Sequence, residues 1–426
     1  MALLLVGVIG LMPVMGLAVK QELDIRDGQE ISVESVDDNY SAVDLTSDNN
    51  NNATLIIQKG IFIDNSNFSE YVRVSLFPYR KATTTLFVGS DVLLRGRYPL
   101  FLTHPRYNGT ADITIKGNIT AESTDNLYAY AFAVTTDDGG TIKAIVNGAL
   151  KAIGTASTTY GLWISNINSS DSSPSMVNIE VGDGENGIIS NAYGIYLKWS
   201  GNADNSSKNT VIVNGNVIGT KEYGLGADTL CESTVVIDGT LSGGKAAVVL
   251  KPSVTMGSED PDKDNLTLVA WKIEANDEGA YILRDKNGEL VRDEDAEAAV
   301  NYIIRIAQPE EGGTLYTDGT DTFTVGEHEY EVAHAGDTVY LLGDIDEGWE
   351  MIGAFWDPEF SKAMTADGEN RFFMVVPAGG GVLLSAVLQR ASGYAPIVVN
   401  KPVCVRPDYH VTYKEVEHYD TWINVD

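Results

Sequence analysis

The residues that could do chemistry are few in this 426-residue sequence, and they do not cluster. Histidine, the usual general base and a common metal ligand, occurs five times, as His104, His328, His334, His410 and His418, without the spacing of a ligand set. Nucleophilic or metal-assisted catalysis that depends on histidine therefore has little to use. We predict no catalytic residue, no metal site and no cofactor-binding residue.

The two cysteines, Cys231 and Cys404, fall in different predicted domains. Two cysteines do not make a disulfide framework, and a metal site needs more ligands. A disulfide between them is an alternative with little support in the sequence.

Carboxylates are abundant, with 60 acidic residues against 29 basic ones. A pair of carboxylates could hydrolyse a glycosidic bond, but among so many acids any one pair is a poor signal. Lyase chemistry on acidic sugars needs a basic group beside the substrate carboxylate. Arg95, Arg97 and Arg106 form the one basic cluster, in neighbouring predicted coils. We interpret them as a solvated edge.

The formal net charge of −31 limits the possible partners. Nucleic acids and anionic membrane surfaces are excluded, because no basic patch exists to neutralise phosphates. The acidic, Asn-, Thr-, Ser- and Gly-rich composition fits a soluble exported protein or one that binds cations loosely. An extracellular glycan or a host or matrix protein is the expected kind of partner.

A short sequence pattern repeats along the chain between residues 113 and 250. A short apolar strand runs into a glycine, and a tyrosine with small or apolar residues follows, as in ITIKGNIT with AYAFAV and in TIKAIVNGAL with TYGLWI. Short Val, Ile, Thr and Tyr runs between turn residues indicate strands, and a period of about thirty residues is typical of a solenoid. We predict a mainly β protein: a right-handed parallel β-helix of about eight coils and a small C-terminal β module.

The spacing of the tyrosines predicts how successive coils align with one another. Tyr130, Tyr160, Tyr193 and Tyr223 follow one another at 30, 33 and 30 residues, and Tyr98 and Tyr71 extend the series towards the N-terminus. Equivalent positions of successive coils lie one strand spacing apart, about 4.8 Å. We therefore expect these tyrosines to form a ladder, with the rings of Tyr160 and Tyr193 buried. We expect the ladder itself to be structural.

The first 19 residues are almost wholly apolar and are followed at once by Lys20, Gln21 and Glu22. Gly16 and Ala18 supply the small residues of a signal-peptidase site. We predict a secretory signal peptide over residues 1–19 with cleavage after Ala18, although the usual positive n-region is missing. An uncleaved anchor is the alternative.

Composition divides the remainder into four parts. We predict the β-helix over residues 20–256, a cap or connector over 257–301, a β module over 302–389, and a linker and tail over 390–426. In the connector, Asn287-Gly288 predicts a hairpin turn and Asp293 the cap of a short helix. The connector's acidic turn does not match the EF-hand loop, so no calcium site is predicted there.

The 302–389 segment carries an ordered set of short motifs: GGT, AGDTVYL, Gly348-Trp349, Trp356, FFMVVPA and SAVL. This order is similar to that of divergent InlB B-repeats, which are small β modules of bacterial surface proteins. FFMVVPA departs from the tighter FxMPA of that family, and the segment between Trp356 and Phe372 is charged. Gly348-Trp349 and Phe355-Trp356 are expected to form the small aromatic core of the module.

The predicted solenoid resembles the right-handed parallel β-helices of bacterial surface proteins and, more remotely, pectin-degrading enzymes. The likeness is architectural, since no pectinase motif is present. Two classes of function follow. The favoured one is a non-enzymatic secreted or cell-surface protein, a β-helix stalk for adhesion or extracellular ligand binding. The alternative is an extracellular polysaccharide lyase or glycoside hydrolase on the same scaffold, because fold alone does not decide function.

Overall fold

The computed structural model describes residues 21–391, except 38, 66–70, 126, 157, 168–172, 183, 185–186, 201–206, 229 and 259–262. Strands make up 62% of the chain and helix 2%, so the fold is built almost entirely by strand pairing.

The strands of the solenoid and of its C-terminal end are, in chain order, β1 (Gln21–Ile25), β2 (Glu30–Val33), β3 (Tyr40–Ser47), β4 (Ala53–Ile57), β5 (Ile61–Asp64), β6 (Tyr71–Pro78), β7 (Thr83–Val88), β8 (Val92–Gly96), β9 (Tyr98–Thr103), β10 (Thr110–Ile115), β11 (Ile119–Ser123), β12 (Ala129–Asp137), β13 (Thr141–Val146), β14 (Leu150–Ile153), β15 (Thr159–Ile167), β16 (Met176–Val181), β17 (Ile188–Ser190), β18 (Tyr193–Ser200), β19 (Lys208–Val213), β20 (Val217–Gly219), β21 (Tyr223–Asp228), β22 (Glu232–Gly243), β23 (Ala246–Leu250), β24 (Leu266–Ile273), β25 (Ile282–Lys286) and β26 (Glu289–Arg292). The remaining elements are helix α1 (Glu294–Ala298) and strands β27 (Asn301–Ile303), β28 (Arg305–Ile306), β29 (Gly313–Asp318), β30 (Asp321–Val325), β31 (His328–Ala333), β32 (Thr338–Ile345), β33 (Trp349–Phe355), β34 (Thr365–Ala366), β35 (Arg371–Val375) and β36 (Leu383–Arg390).

The predicted fold class is confirmed: the chain winds into a parallel β-solenoid of about eight turns of roughly 31 residues. Three faces run along it. The first face stacks β1, β3, β6, β9, β12, β15, β18, β21, β23 and β25. The second stacks β2, β4, β7, β10, β13, β16, β19, β22 and β24, and the third stacks β5, β8, β11, β14, β17, β20 and the last part of β22.

Each face follows the two-residue period of a strand. In β7 and β10, Leu86 pairs with Ile113 and both side chains are fully buried or nearly so. Their neighbours Phe87 and Thr114 pair in the same register and point outward. Because like positions align from coil to coil, the inward side chains form one continuous apolar core along the solenoid.

The recurring glycines lie where successive coils approach most closely. A Cβ atom on Gly148 would lie 2.6 Å from the carbonyl carbon of Gly117, and one on Gly239 would lie 2.3 Å from the oxygen of Gly215. These contacts are with backbone, which cannot move aside as a side chain can. The regular spacing of glycines in the sequence therefore reflects the close stacking of the corners of successive coils.

A short polar stack interrupts the apolar interior. Asn166 donates to the Oδ1 of Asn209 at 2.9 Å, and Asn209 donates to the Oγ of Ser233 at 3.1 Å and the Sγ of Cys231 at 3.3 Å. Burial raises the pKa of the free Cys231 thiol to about 11, so this cysteine is an inert packing residue. Cys404 lies outside the described residues.

Parallel pairing continues past residue 256. Strand β24 pairs with β22 and β25 pairs with β23, so the segment predicted as a connector carries the last strands of the solenoid. The two local predictions for this segment are confirmed. Strands β25 and β26 form a hairpin through Asn287 and Gly288, both with positive φ, and Asp293 caps α1 by accepting from the amide of Ala296.

The C-terminal module consists of two small sheets, one of β28, β36 and β33 and the other of β29, β32, β35 and β34. A hairpin of β30 and β31 leaves these sheets, pairs with β27 and lies over the outer side of the second solenoid face. There Val332 packs with Ile212, Val236 and Val269 in a separate apolar cluster. The module is therefore attached to the solenoid through buried apolar surface.

The expected aromatic core of this module is wrong. Trp349 and Trp356 are only partly buried, and their rings lie under cations, with Arg390 5.2 Å and Lys362 4.2 Å from the ring centres. The buried positions are held by aliphatic, Met and Phe side chains: Leu315, Val339, Leu341, Met351, Phe372, Met374 and Leu384. The tryptophans therefore lie at the rim of the module, each with a cation over its ring.

We expect Asp357 to make the stability of the module depend on pH in the acidic range. Burial alone would raise the pKa of its carboxyl, but hydrogen bonds from the Ser361 hydroxyl at 2.6 Å and the Lys362 amide at 2.7 Å outweigh burial and hold the pKa below its ordinary value. This stabilisation is present above the ordinary pKa of 3.8 and is lost as the pH falls through the lower folded value. We expect urea unfolding followed by tryptophan fluorescence to show a steeper loss of stability below about pH 4 in the wild type than in Asp357→Asn. Equal slopes for the two proteins would contradict this assignment.

Candidate ligand-binding surface

The arginine cluster suggested by the sequence does not exist in space. Arg95 lies on the third solenoid face, Arg97 lies at the following corner, and Arg106 lies beyond β9, a strand of about 17–20 Å. Each pairs with a carboxylate of another coil: Arg95 with Glu122 at 2.6 Å and with Asp64, Arg97 with Asp125 at 3.5 Å, and Arg106 with Asp137 at 2.8 Å.

These pairs explain why the arginines do not form a substrate-binding patch. A guanidinium that is already neutralised has little charge to offer to the carboxylate of an acidic sugar. Arg106 is also held between two rings, 5.4 Å from the centre of Tyr79 and 5.5 Å from that of Tyr107. The three arginines therefore link adjacent coils and do not form one common site.

His104 is placed as a structural side chain. It packs near Phe77, with ring centres 6.3 Å apart, and its Nε2 makes no hydrogen bond to any residue in the described part of the chain. Burial, helped by the nearby charge of Arg106, lowers the pKa of His104, so the ring is neutral at physiological pH. The nearby carboxylate of Asp137 pairs with Arg106 and makes no hydrogen bond to His104, so it does not orient the ring as a general base would require.

The described ranges contain no group of three or more His, Cys, Asp or Glu side chains that could hold a metal ion. Over the same ranges, no helix has the length and apolar character needed to cross a membrane.

The predicted tyrosine ladder is present on the first solenoid face. Tyr130 pairs with Tyr160, and Tyr160 pairs with Tyr193, in exact strand register. Their ring centres are 5.3 and 5.5 Å apart with planes inclined by 25° and 23°, and Tyr223 follows at 5.6 Å. Offset stacking at these distances is the favourable arrangement for aromatic pairs.

The extension of the ladder to Tyr98 is wrong by two residues. Tyr130 pairs with Leu100, and Tyr98 pairs with Tyr71. A second, offset column therefore begins at Tyr71, with ring centres 4.8 Å apart from Tyr71 to Tyr98 and 6.2 Å from Tyr98 to Tyr128. Tyr128 joins the two columns, since its ring stacks 6.5 Å from that of Tyr130.

Together these rings form one continuous surface feature, which we call the tyrosine strip: Tyr71, Tyr98, Tyr128, Tyr130, Tyr160, Tyr193 and Tyr223. The expected burial of Tyr160 and Tyr193 is only partly correct, because both rings point away from the core and are half-buried by their neighbours. The two most exposed rings of the strip are Tyr71 at 63% and Tyr128 at 44%, whereas Tyr223 at the other end is 4% exposed. Its accessible end is therefore the N-terminal one.

Two further aromatic residues pack beside the C-terminal half of the strip. Trp163 meets Tyr130 edge-on at 6.0 Å, and Tyr196 meets Tyr193 edge-on at 5.1 Å. Trp163 and Tyr196 pair with each other in strand register. These contacts close the C-terminal half of the strip into a packed aromatic patch.

We expect the packed C-terminal half of the strip to make the stability of the fold depend on pH in the alkaline range. Burial, helped by neighbouring tyrosines and carboxylates, raises the pKa of Tyr160, Tyr193 and Tyr196 well above the ordinary value of 10.0. The folded rings stay protonated where the unfolded chain ionises, so their contribution is fully present below about pH 10 and is lost as the pH rises further. We expect the double variant Tyr160→Phe/Tyr193→Phe to lose less stability than the wild type between about pH 9 and pH 11 in urea unfolding. Identical losses would mean that these rings ionise freely.

The offset between the two columns opens a groove. Its volume is about 320 Å³, and its lining is Tyr71, Tyr98, Pro99, Leu100, Tyr128 and Tyr130. Ligand sites in proteins usually occupy roughly 300–1,000 Å³ and are lined mainly by apolar and aromatic side chains with a few polar groups. This groove has those features, on the accessible half of the strip.

A larger cleft of about 600 Å³ lies between residues 252–258, the β25–β26 hairpin and α1. Its lining is highly charged, but the arginines in it already have partners. Arg284 pairs with Asp293 at 2.5 Å and donates to the Val254 carbonyl, and Arg292 pairs with Glu297 at 2.7 Å. We therefore interpret this cleft as a structural feature of the segment that covers the C-terminal end of the solenoid.

The chain matches no protein family, no curated protein and no solved structure.

Sequence reasoning missed Tyr128, Trp163 and Tyr196, although each left a local signal. Tyr128 and Tyr130 are two residues apart in NLYAYAF, the spacing that places side chains on one face of a strand. Trp163 and Tyr196 occupy the same position in TYGLWI and AYGIYL. A comparison of whole repeats, in place of one residue per repeat, would have identified all three.

Proposed function

We propose that this chain is a non-enzymatic secreted or cell-surface protein whose solenoid is a rigid stalk that binds an extracellular ligand. The observation that carries the proposal is the outward-facing tyrosine strip, whose N-terminal half is exposed and grooved. Exposed aromatic clusters of this kind are characteristic of binding surfaces. A stalk of stacked coils keeps such a surface rigid, which lowers the entropic cost of binding.

The alternative, a polysaccharide lyase or glycoside hydrolase on the same scaffold, has less support. The three arginines that could have served a lyase are separated and each is neutralised by a carboxylate. His104 lacks an orienting partner in the described part of the chain. We therefore expect purified protein to bind to members of a glycan and matrix-protein array without depolymerising any polysaccharide. Sustained release of reducing or unsaturated sugar ends would overturn the proposal in favour of the enzyme.

Export and surface location belong to the same proposal. Its support comes from the sequence pattern alone: the apolar segment with Gly16 and Ala18, and the order of short motifs in residues 302–389, which resembles that of divergent InlB B-repeats although no family model matches. The signal-peptide segment lies outside the described residues. N-terminal sequencing of the exported protein is expected to start at Val19, and a mature protein that starts at Met1 would contradict cleavage.

A further inference from the structure

We propose that the groove at the offset of the tyrosine strip binds a segment of an uncharged hexopyranose glycan. This inference rests on the proposed binding function and adds the class of ligand and the place where it binds. The groove is lined by four tyrosine rings, Pro99 and Leu100, and the most exposed rings in it are Tyr71 and Tyr128.

Tyr71 ends the column: among the described rings it stacks on Tyr98 alone, and it is 63% exposed, so a flat ligand can pack against its ring. The planes of Tyr71 and Tyr98, of Tyr98 and Tyr128, and of Tyr128 and Tyr130 are inclined by only 20°, 22° and 26°. A pyranose ring carries C–H groups on its flat faces, and such weakly positive groups pack well against the negative face of an aromatic ring. An aromatic cage for a quaternary ammonium group needs rings on several sides of the cation, and nearly parallel rings do not provide them.

The hydroxyl groups of the groove favour a ligand rich in hydrogen-bonding groups. The hydroxyls of Tyr71, Tyr98, Tyr128 and Tyr130 make no hydrogen bond to any residue in the part of the chain that the structure describes. Each can both donate and accept. A purely apolar ligand would remove water from these hydroxyls without replacing it, which is costly, whereas sugar hydroxyls can take the place of that water.

The charges around the groove favour an uncharged glycan. Among the described residues, no charged side chain lines the groove. Arg97 lies at its rim, 5.4 Å from the ring centre of Tyr98, but is paired with Asp125. An acidic glycan would find no free cation there and would approach a protein of net charge −31, which repels it.

The test is isothermal titration of the full chain with cellohexaose, mannohexaose and maltohexaose. We expect at least one of these to bind to the wild type and the double variant Tyr71→Ala/Tyr128→Ala to bind it roughly tenfold more weakly, as expected when stacking contacts worth about 1.4 kcal/mol are lost. Tyr128→Phe, which keeps the ring and removes one hydroxyl, is expected to show a smaller loss. Both replaced tyrosines are substantially exposed, so the variants should fold, and thermal unfolding verifies this.

The matched control is Tyr316→Ala, which removes a ring of similar exposure, 48%, from the C-terminal module. It should bind the oligosaccharide as the wild type does. Unchanged affinity in the double variant would overturn the assignment to the groove. Binding confined to polygalacturonate, tetramethylammonium or a matrix protein would overturn the ligand class and leave the proposed binding function intact. Depolymerisation of a polysaccharide would overturn the proposed function instead.

Discussion

Replacement of Phe132 by alanine is expected to lower the free energy of unfolding by about 3–5 kcal/mol, the largest effect that we expect from one side chain. Phe132 is fully buried in the solenoid and meets Phe101 of the preceding coil edge-on, with ring centres 5.3 Å apart. Its removal leaves a cavity that the stacked backbones on either side cannot close, because their spacing is fixed by strand pairing.

The damage should be local. Coils of a solenoid contact only their neighbours, so hydrogen exchange should accelerate in β9, β12 and β15 and stay unchanged in residues 313–390. Tyr316→Ala, an exposed aromatic residue of the C-terminal module, is the control and should change stability by less than about 0.5 kcal/mol. Uniform acceleration across the whole chain would contradict the view that the coils are coupled only to their neighbours.

The fold was largely predictable because the strand register of a solenoid appears in the sequence as a regular repeat. Each coil repeats the same inward positions, so the alternation in β7 and β10 and the close approach of Gly117 and Gly148 appear as a period of about thirty residues. The offset at Tyr98 was not predictable from spacing. Tyr98 and Tyr130 are 32 residues apart, close to one coil, yet Tyr130 pairs with Leu100, and the pairing shifts by one residue at an irregularity between Tyr130 and Ala133. A bulge changes register without a signature in residue spacing.

The candidate site was harder to predict than the fold for a related reason. Arg95, Arg97 and Arg106 are close in sequence, but a solenoid turns corners between them and places them on different sides. Conversely, Tyr71 and Tyr130 are almost two coils apart in sequence and line one groove. In a stacked fold, residues are close in space when whole coils separate them in sequence. The same stacking places Asp64, Asp125 and Asp137 beside the three arginines and partly neutralises their charge.

The C-terminal end of the solenoid depends on one buried carboxylate, and Glu297→Ala is expected to cost about 3 kcal/mol. Glu297 is 8% exposed and accepts hydrogen bonds from the backbone amides of Tyr281 at 2.8 Å and Ile282 at 3.2 Å. It also pairs with Arg292 at 2.7 Å. Alanine would leave two backbone N–H groups without an acceptor at the start of β25, and each such group costs roughly 1–3 kcal/mol when it is buried.

Glu297→Gln separates the hydrogen bonds from the charge. The amide oxygen of glutamine can still accept from Tyr281 and Ile282, while the pairing with Arg292, which is 46% exposed, is lost. Because an exposed arginine contributes little through an ion pair, Glu297→Gln should lose about 1 kcal/mol or less. Hydrogen exchange at the amides of Tyr281 and Ile282 should accelerate strongly in the alanine variant and weakly in the glutamine variant. Equal destabilisation by the two variants would instead assign the effect to the charge of Glu297, and α1 would then be held to the solenoid by its ion pair with Arg292.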